Sequence, residues 1–339
     1  MDPSTRYRRQ IVMNEIGVEG QRRILAGRVV VMGCGALGSM NAALLARAGV
    51  GHLTLVDRDV VRMDHLHRQV LFDEADAQAC LPKAVAAANA IRRANHEVRV
   101  RAVVADVDRT NCLDLVRGAD VVVDGADNYE MRALVNEACV RLGVPYVHGA
   151  VLGAYGVQAT LIPRRTACLA CLIPELPAPG SFPTCESAGV LGPIVALVAS
   201  VQAAETLKVL GGHPERLRGT LRSWDLWTNE QAEVRMVRRA DCAVCGMGRY
   251  DFLEGRAGVR TEVLCGREAV QVRLAGAIES LETLAARLRA QFEVRSNAYL
   301  LQFEADGLTV SVFPDGRAIV RGTADPAVAR AVLARCVGT

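Results

Sequence analysis

Several features that define other classes of protein are scarce in this chain of 339 residues. Aromatic residues make up only 4% of it, which argues against a surface that stacks nucleic-acid bases. The charges nearly cancel, leaving a net charge of +3, so we expect neither nucleic acid nor a membrane as the main partner. The most apolar run, residues 189–204, is shorter than the roughly 20 residues of a membrane span and predicts a buried helix. Because no apolar stretch follows the first charged residues, we expect no signal peptide and a cytoplasmic protein.

Lysine is almost absent, since Lys83 and Lys208 are the only lysines among 40 basic residues. Arginine binds partners through a planar guanidinium and lysine through a compact ammonium. A lysine in a chain so rich in arginine is therefore a candidate for a functional role that arginine does not fill. Cysteine, by contrast, is plentiful, with 11 residues. Without a secretion signal, these indicate metal binding or thiol chemistry rather than disulfides.

Strand and helix patterns alternate over the first part of the chain. Such alternation predicts an α/β fold, a doubly wound and mostly parallel Rossmann-like sheet, which an antiparallel pair over 150–163 would extend. A long helix over 193–210 and strands at 220–224 and 233–237 would follow. The predicted strands are 28–32, 52–57, 98–104, 121–124 and 144–148, and the helices between them are 39–49, 82–94, 110–117 and 129–142.

Two domains are predicted. Residues 1–246 would form the larger one, and 258–339 a small α+β domain of unknown role. The stretch 246–258 between them is rich in Gly and Arg and is typical of a linker.

A glycine-rich hexapeptide, Gly33 to Gly38, follows the first predicted strand and opens a helix. Glycine permits a tight turn and close backbone approach, and the helix N-terminus offers free N–H groups to a phosphate. Asp57 ends the next strand, where a carboxylate would hold ribose hydroxyls. The pattern predicts an adenine-nucleotide site; the alternative is a glycine-rich turn without a ligand.

Charged residues also follow the ends of the neighbouring strands. The segments are 57–60, 65–69, 82–84 and 124–128, and an arginine and a lysine in them would pair with a triphosphate, while an aspartate would hold Mg²⁺ between phosphate oxygens. Each residue taken singly is more simply a solvated loop charge. Together they favour ATP, because a dinucleotide needs none of them.

Two Cys-x-x-Cys pairs stand about 70 residues apart. Four thiolates from two such turns fit a tetrahedral structural Zn²⁺, although two unrelated pairs or a redox pair remain alternatives. Cys185 is separate from both pairs, and it is either a reactive thiol or a loop cysteine without a role. The predicted zinc ligands are Cys168, Cys171, Cys242 and Cys245.

These motifs resemble the ThiF/MoeB/HesA family, the ubiquitin-activating-type adenylyltransferases of bacterial sulfur-carrier pathways, and above all its thiamine-pathway ThiF members. The resemblance implies a homodimer that uses ATP and Mg²⁺ to activate the C-terminal glycine carboxylate of a ubiquitin-like sulfur carrier as an acyl-adenylate. A ThiS-like carrier of thiamine synthesis is favoured over a MoaD-like carrier of molybdopterin synthesis, with sulfur from a cysteine desulfurase or another persulfide donor. The matching segments are RYRRQ, GCGALG, LVDRDVV with HLHRQ, PKA, DGADN with an R and an N after it, the two Cys pairs and TCESAGVLGP.

The resemblance also implies roles for single residues. Asp57 would hold the ribose, Arg68 and Lys83 the phosphates, and Asp127 the Mg²⁺, while Arg9 would reach a phosphate in the partner subunit's site. Cys185 matches the cysteine that receives the activated carrier in thiazole-forming members. The implied nucleotide-binding set is Gly33, Gly35, Ala36, Gly38, Asp57, Asp59, His65, Arg68, Gln69, Lys83 and Asn128.

Two positions depart from the family pattern. The family usually has Gly where this chain has Ala36, and Asn where it has His65. The exact nucleotide contact at His65 is therefore open, although imidazole can donate one hydrogen bond as an amide does. The N-terminal arginines suit an arm that reaches a dimer partner, with a solvated surface as the alternative.

Two other functions compete with this interpretation. A nicotinamide-dependent oxidoreductase could use the same glycine loop, but it would leave Arg68, Lys83 and Asp127 without a role. A zinc-containing scaffold without turnover is the other alternative. The tail segments 261–273 and 312–322 resemble the C-terminal extension of some thiamine-pathway members and carry no rhodanese-type cysteine loop.

Overall fold

An eight-stranded sheet organises the first of two units in the computed structural model, which describes residues 3–177, 188–257, 268–274 and 280–337. The first unit holds the described residues up to 257, and the second holds those from 268 onward. The strands of the first unit are β1 (Arg28–Met32), β2 (His52–Asp57), β3 (Arg99–Val104), β4 (Val121–Asp124), β5 (Tyr146–Leu152), β6 (Tyr155–Leu161), β7 (Thr220–Asp225) and β8 (Glu230–Arg235).

The strand order in this sheet is β3-β2-β1-β4-β5-β6-β7-β8. The first five strands in that order pair in parallel, and β5 to β8 pair antiparallel. Successive residues of β1 enter two separate apolar cores, Val29 and Val31 one of them and Val30 and Met32 the other. Both faces of the parallel half are therefore covered, as the run of apolar residues predicts. The doubly wound Rossmann-like fold class is confirmed.

Helices cover both faces of this sheet. The first three precede β1, the next five lie between the parallel strands up to β5, and the last two follow β6. They are α1 (Pro3–Arg6), α2 (Arg8–Ile11), α3 (Gly17–Ala26), α4 (Ala36–Ala48), α5 (Glu74–Gln78), α6 (Lys83–Ala94), α7 (Cys112–Val116), α8 (Tyr129–Leu142), α9 (Leu169–Leu172) and α10 (Gly192–Gly211), with 3-10 turns at Met63–His65 and Pro214–Arg216.

A single strand, β5, replaces two strands that the sequence predicts separately. The sequence predicts a parallel strand over 144–148 and a separate antiparallel pair over 150–163, whereas β5 runs without a break from Tyr146 to Leu152. Its first residues pair in parallel with β4, and its whole length pairs antiparallel with β6. The antiparallel pair therefore begins four residues earlier than expected, because the same strand supplies both edges.

Helix α10 contains most of the apolar run that the sequence analysis assigned to a buried helix. Among the described residues it alone has the length and composition to cross a membrane, yet 56% of its apolar window is buried in the fold. Its polar side chains Gln202 and Glu205 are buried and hydrogen-bonded to neighbouring elements. These contacts are those of a core helix.

The stretch after the second cysteine pair is held in place rather than free. Glu137, buried in α8, accepts the backbone N–H groups of Phe252 (3.0 Å) and Leu253 (2.9 Å). Burial raises the pKa of this carboxyl group, and the backbone hydrogen bonds oppose that effect. The linker character predicted for 246–258 is therefore wrong for this part of the stretch.

The second unit is an antiparallel sheet with two helices packed on one face. Its strand order is β10-β11-β12-β13-β9, and its apolar core combines alternate strand residues with one face of each helix. This confirms a small α+β fold. Its elements are β9 (Ala269–Arg273), α11 (Leu281–Leu288), β10 (Val294–Ser296), β11 (Leu301–Ala305), β12 (Leu308–Val312), β13 (Arg317–Arg321) and α12 (Pro326–Cys336).

Candidate functional site

The glycine loop lies at the carboxyl edge of the parallel strands, between the end of β1 and the start of α4. Gly33 has a φ of +92°, and a Cβ there would lie 2.4 Å from the carbonyl oxygen of Gly125 in the loop after β4. The loops of two neighbouring strands therefore touch backbone to backbone, which only glycine permits. A Cβ at Gly35 would meet no atom within 4 Å, so this side of the loop is open, as a phosphate cradle requires.

Asp57, at the end of β2, holds this loop in place. Its two carboxylate oxygens accept the backbone N–H groups of Cys34 and Asp59, each at 2.7 Å. Burial raises the pKa of this carboxyl group, an effect that the charge of Lys83 opposes. Each oxygen can accept further hydrogen bonds, so the predicted contact with ribose hydroxyls is compatible with the geometry.

A buried ion pair lies beside Asp57. Lys83, the first residue of α6, places its Nζ 3.2 Å from Oδ2 of Asp59, and the two side chains are only 3% and 4% exposed. The backbone N–H of Lys83 also donates to the carbonyl oxygen of Asp59 at 2.9 Å. The predicted phosphate ligand thus already has a carboxylate partner, which the sequence pattern did not reveal.

His65 is buried close to this ion pair. Its Nδ1 accepts the backbone N–H of Arg62 at 3.2 Å, and the residue is 1% exposed. Burial, together with the charges of Lys83 and Arg62, lowers its pKa to about 2. The ring is therefore neutral and carries its proton on Nε2, so it can act as a hydrogen-bond donor.

The residues after His65 fit a polar ligand as well. Arg68 donates to the carbonyl oxygen of Asp64 at 2.6 Å. Gln69 is 3% exposed, and its Oε1 has no hydrogen-bond partner. Buried amide oxygens are normally bonded, so this atom is a place where a ligand donor would be satisfied.

Asp127 and Asn128 lie at the start of α8, beyond the end of β4. Asp127 is exposed, and its Oδ1 accepts a hydrogen bond from Nδ2 of Asn128 at 3.1 Å. Asn128 in turn caps α8 by accepting the N–H of Met131 at 2.8 Å. Since β4 is next to β1 in the sheet, this pair belongs to the same edge as the glycine loop.

The sequence analysis did not single out the residue that anchors this loop. Asp124, the last residue of β4, is completely buried, and it binds Arg132 and His148. A signal was present, because a carboxylate that ends the otherwise apolar strand VVVD has to find partners inside the protein.

Two further predicted site residues are Arg9 and Cys185. Arg9 is exposed on α2, and its role toward a partner subunit stays a prediction. Cys185 lies outside the described residues, so the structure does not describe its surroundings.

The four predicted zinc ligands lie together. The Sγ atoms of Cys168 and Cys242 are 3.7 Å apart, those of Cys171 and Cys245 are 3.4 Å apart, and all four lie within 4.8 Å of one another. Zinc at about 2.3 Å from each sulfur separates the sulfurs by about 3.8 Å, so the donor set fits a tetrahedral Zn²⁺. A set of four sulfurs leaves no open position, which favours a structural ion.

A model of the ThiF family matches residues 7–245, well over half of the chain. The chain belongs to the ThiF family. The resemblance inferred from the motifs is thereby confirmed, and the chain is an adenylyltransferase, a type of enzyme that uses ATP.

Named relatives extend this result. The sulfur carrier protein ThiS adenylyltransferase of Bacillus subtilis is 41% identical over 337 residues, which cover 98% of this chain and 99% of that protein. The SAMP-activating enzyme E1 of Haloferax volcanii is 43% identical over 249 residues, 74% of this chain and 91% of that protein. Among solved structures, E. coli MccB with ATP matches at a TM-score of 0.60 and 26% identity, covering 68% of this chain and 70% of that chain.

Proposed function

We propose that this enzyme adenylylates the C-terminal glycine carboxylate of a small ubiquitin-like sulfur-carrier protein, in preparation for thiocarboxylate formation in thiamine or molybdopterin synthesis. The observation that carries this proposal is the similarity, over nearly the full length of both chains, to an adenylyltransferase of the carrier ThiS. The similarity covers the second unit as well, which favours a ThiS-like carrier.

This reaction requires alignment of the reactants and positive charge near the phosphates, and it does not require a covalent catalyst. A carboxylate oxygen of the carrier attacks the α-phosphorus of ATP, a new O–P bond forms, and the bond to the bridging oxygen breaks to release pyrophosphate. No general base is needed, because the attacking carboxylate is already ionised near pH 7. What the site has to supply is alignment and positive charge on the phosphate oxygens.

The described residues supply these at one edge of the sheet. The open glycine loop and the N–H groups of α4 would hold the phosphates, and Lys83 and Arg68 would neutralise them. Asp57 would hold the ribose, and His65 and Gln69 would contribute polar contacts. Mg²⁺, when bound, would neutralise charge on the phosphate oxygens, and Asp127 would hold it.

The remaining predicted residues and partners belong to this proposal too. Arg9 would complete the site of a partner subunit in a homodimer, and Cys185 would receive the activated carrier before sulfur arrives from a persulfide donor. The four-cysteine cluster would hold structural Zn²⁺. Residues 1–246 would carry the chemistry, with 258–339 as a separate domain, and the enzyme would act in the cytoplasm away from membranes.

Pyrophosphate exchange tests the function directly. The purified enzyme is incubated with ATP, labelled pyrophosphate and each of a panel of carriers that end in Gly-Gly, and each carrier is also supplied without its final glycine. We expect exchange that depends on an intact carrier, and faster exchange with a ThiS-like than with a MoaD-like carrier. Absence of exchange with every carrier would contradict the proposal.

A further inference from the structure

A network of charged side chains is buried behind the loop that follows β4. Asp124 is 0% exposed, and three donors bind its carboxylate. The N–H of Ala126 lies 2.9 Å from Oδ1, Nε of Arg132 lies 3.2 Å from Oδ2, and Nδ1 of His148 lies 2.6 Å from the same Oδ2. Arg132 and His148 are themselves buried, at 7% and 4% exposed.

The Asp124 carboxylate is ionised. Burial alone would raise its pKa, but the charge of Arg132 and the hydrogen bond from His148 hold the pKa below its ordinary value. Because an ionised carboxylate can only accept, His148 donates from Nδ1. Removing this donor would leave a buried charge short of one partner, which costs far more than losing an exposed contact.

The same network also forms hydrogen bonds to the backbone of the residue before Asp127. Ala126 is held from both sides, because its N–H donates to Asp124 and its carbonyl oxygen accepts from Arg132 at 2.7 Å. The adjoining Gly125 packs against the glycine loop. The position of Asp127, the next residue in the chain, is therefore set by buried side chains that belong to β4, α8 and β5.

We propose that Arg132 and His148 are positioning residues which act through Asp124 to hold Asp127 where it binds Mg²⁺ with the nucleotide. This inference rests on the metal role that the proposed function gives to Asp127. A positioning role accounts for the presence of three charged or titratable side chains, one each from β4, α8 and β5, in contact with one another inside the protein. Residues that orient a metal ligand in this way typically change metal affinity or activity about 10–100-fold.

The test measures how much Mg²⁺ the full-length protein needs to bind ATP. ATP binding is followed by calorimetry over a series of Mg²⁺ concentrations for the wild type, His148→Leu and His148→Asn. The leucine variant removes the donor, whereas the asparagine amide can take the place of Nδ1. We expect the Mg²⁺ concentration for half-maximal binding to rise about 10–100-fold in His148→Leu and less than about threefold in His148→Asn.

Glu137→Gln serves as the matched control for a purely structural effect. Glu137 is a second buried carboxylate and lies on α8, as Arg132 does, but its partners are the backbone N–H groups of residues 252 and 253. This variant should lose thermal stability and keep the wild-type Mg²⁺ requirement. Arg132→Lys keeps the charge but loses the planar guanidinium that reaches Asp124 and Ala126 at once, and it provides a second test if His148→Leu does not fold.

Three outcomes would overturn the proposal. They are an unchanged Mg²⁺ requirement in His148→Leu or Arg132→Lys, equal shifts in the two His148 variants, and an Asp127→Asn variant that keeps the wild-type Mg²⁺ requirement. A wild type that binds ATP with Mg²⁺ but shows no carrier-dependent exchange would instead contradict the proposed function, and the binding series would still decide the positioning role.

Discussion

The two sheets of this protein differ in how the charges that they bury are paired. At the carboxyl edge of the first sheet, the ion pair of Asp59 with Lys83 and the network around Asp124 are almost fully buried. In the described part of the second sheet the core is apolar, and the buried Arg317 pairs with Asp315, which is 44% exposed. Burying charge is costly and is weak support for stability, so the charge clusters buried at this edge favour a functional role for it.

The largest effect on activity is expected for Asp127→Ala, at the carboxyl edge of the first sheet. Asp127 is exposed, so its removal should leave the melting temperature and the zinc content unchanged. We expect carrier-dependent pyrophosphate exchange to fall by at least about 10³-fold, the order that loss of one charge-stabilising group costs phosphoryl transfer. Asp114→Ala, at an exposed aspartate of α7, is the control and should exchange normally. Near-normal exchange in Asp127→Ala would remove this residue from the metal site.

Substituting Lys83 should affect both catalysis and folding. Lys83→Ala should slow exchange roughly 10²–10³-fold and, because Asp59 is left as an unpaired buried charge, reduce the free energy of unfolding by about 3–5 kcal/mol. Lys83→Arg should rescue only in part, since a planar fork does not replace a compact ammonium. Lys208→Ala, at the other lysine, should exchange at the wild-type rate. Full activity in Lys83→Arg would argue against a specific lysine role.

Unlike the nucleotide-binding edge of the first sheet, the cysteine cluster should contribute to stability and not directly to catalysis. Metal analysis of the purified enzyme should give about one zinc per chain, and Cys168→Ser should lose the metal and lower the melting temperature. The control is Cys112→Ser, a buried cysteine outside the cluster, which should keep its zinc. A stable wild type without zinc would contradict this assignment.

The smallest expected effect concerns pH. The pKa of His65 is lowered to about 2 in the folded protein, so the unfolded chain binds a proton at His65 below about pH 6.5 while the folded one does not. Stability from this group is therefore full above pH 6.5 and falls progressively as the pH is lowered. His65→Asn should show a smaller decline in melting temperature between pH 7 and pH 5. An equal decline in both proteins would show that His65 does not titrate on unfolding.

Local signals predicted the fold class and the order of the parallel strands and helices along the chain. The central parallel strands are short apolar runs bounded by turn residues, and the four cysteines follow a spacing that metal geometry dictates. The continuity of β5 could not be predicted in this way, because it depends on which strands flank it in space. The docking of Phe252 and Leu253 onto Glu137 is likewise a contact between residues that are distant along the chain.

In the site, too, some features could be predicted from the sequence and others depend on the folded structure. The glycine loop and Asp57 stand next to strand ends and could be identified from their position, whereas Asp127 is identified through the resemblance of its segment to the family. The pairing of Lys83 with Asp59, and of His148 with Asp124, depends on side chains that meet only in the folded sheet. Sequence reasoning predicted the residue types of the site, and tertiary packing decided which of them neutralise one another.

The unbroken course of β5 also has a consequence for the order of folding. Only residues 153 and 154 separate β5 from β6, whereas β5 reaches β4 through the whole of α8. Closing a hairpin with so short a loop takes on the order of microseconds, while a parallel pairing has to wait for its crossover helix. We therefore expect the β5–β6 hairpin to form first and to offer β4 a ready edge, so that the antiparallel half of the sheet guides assembly of the half that binds the nucleotide.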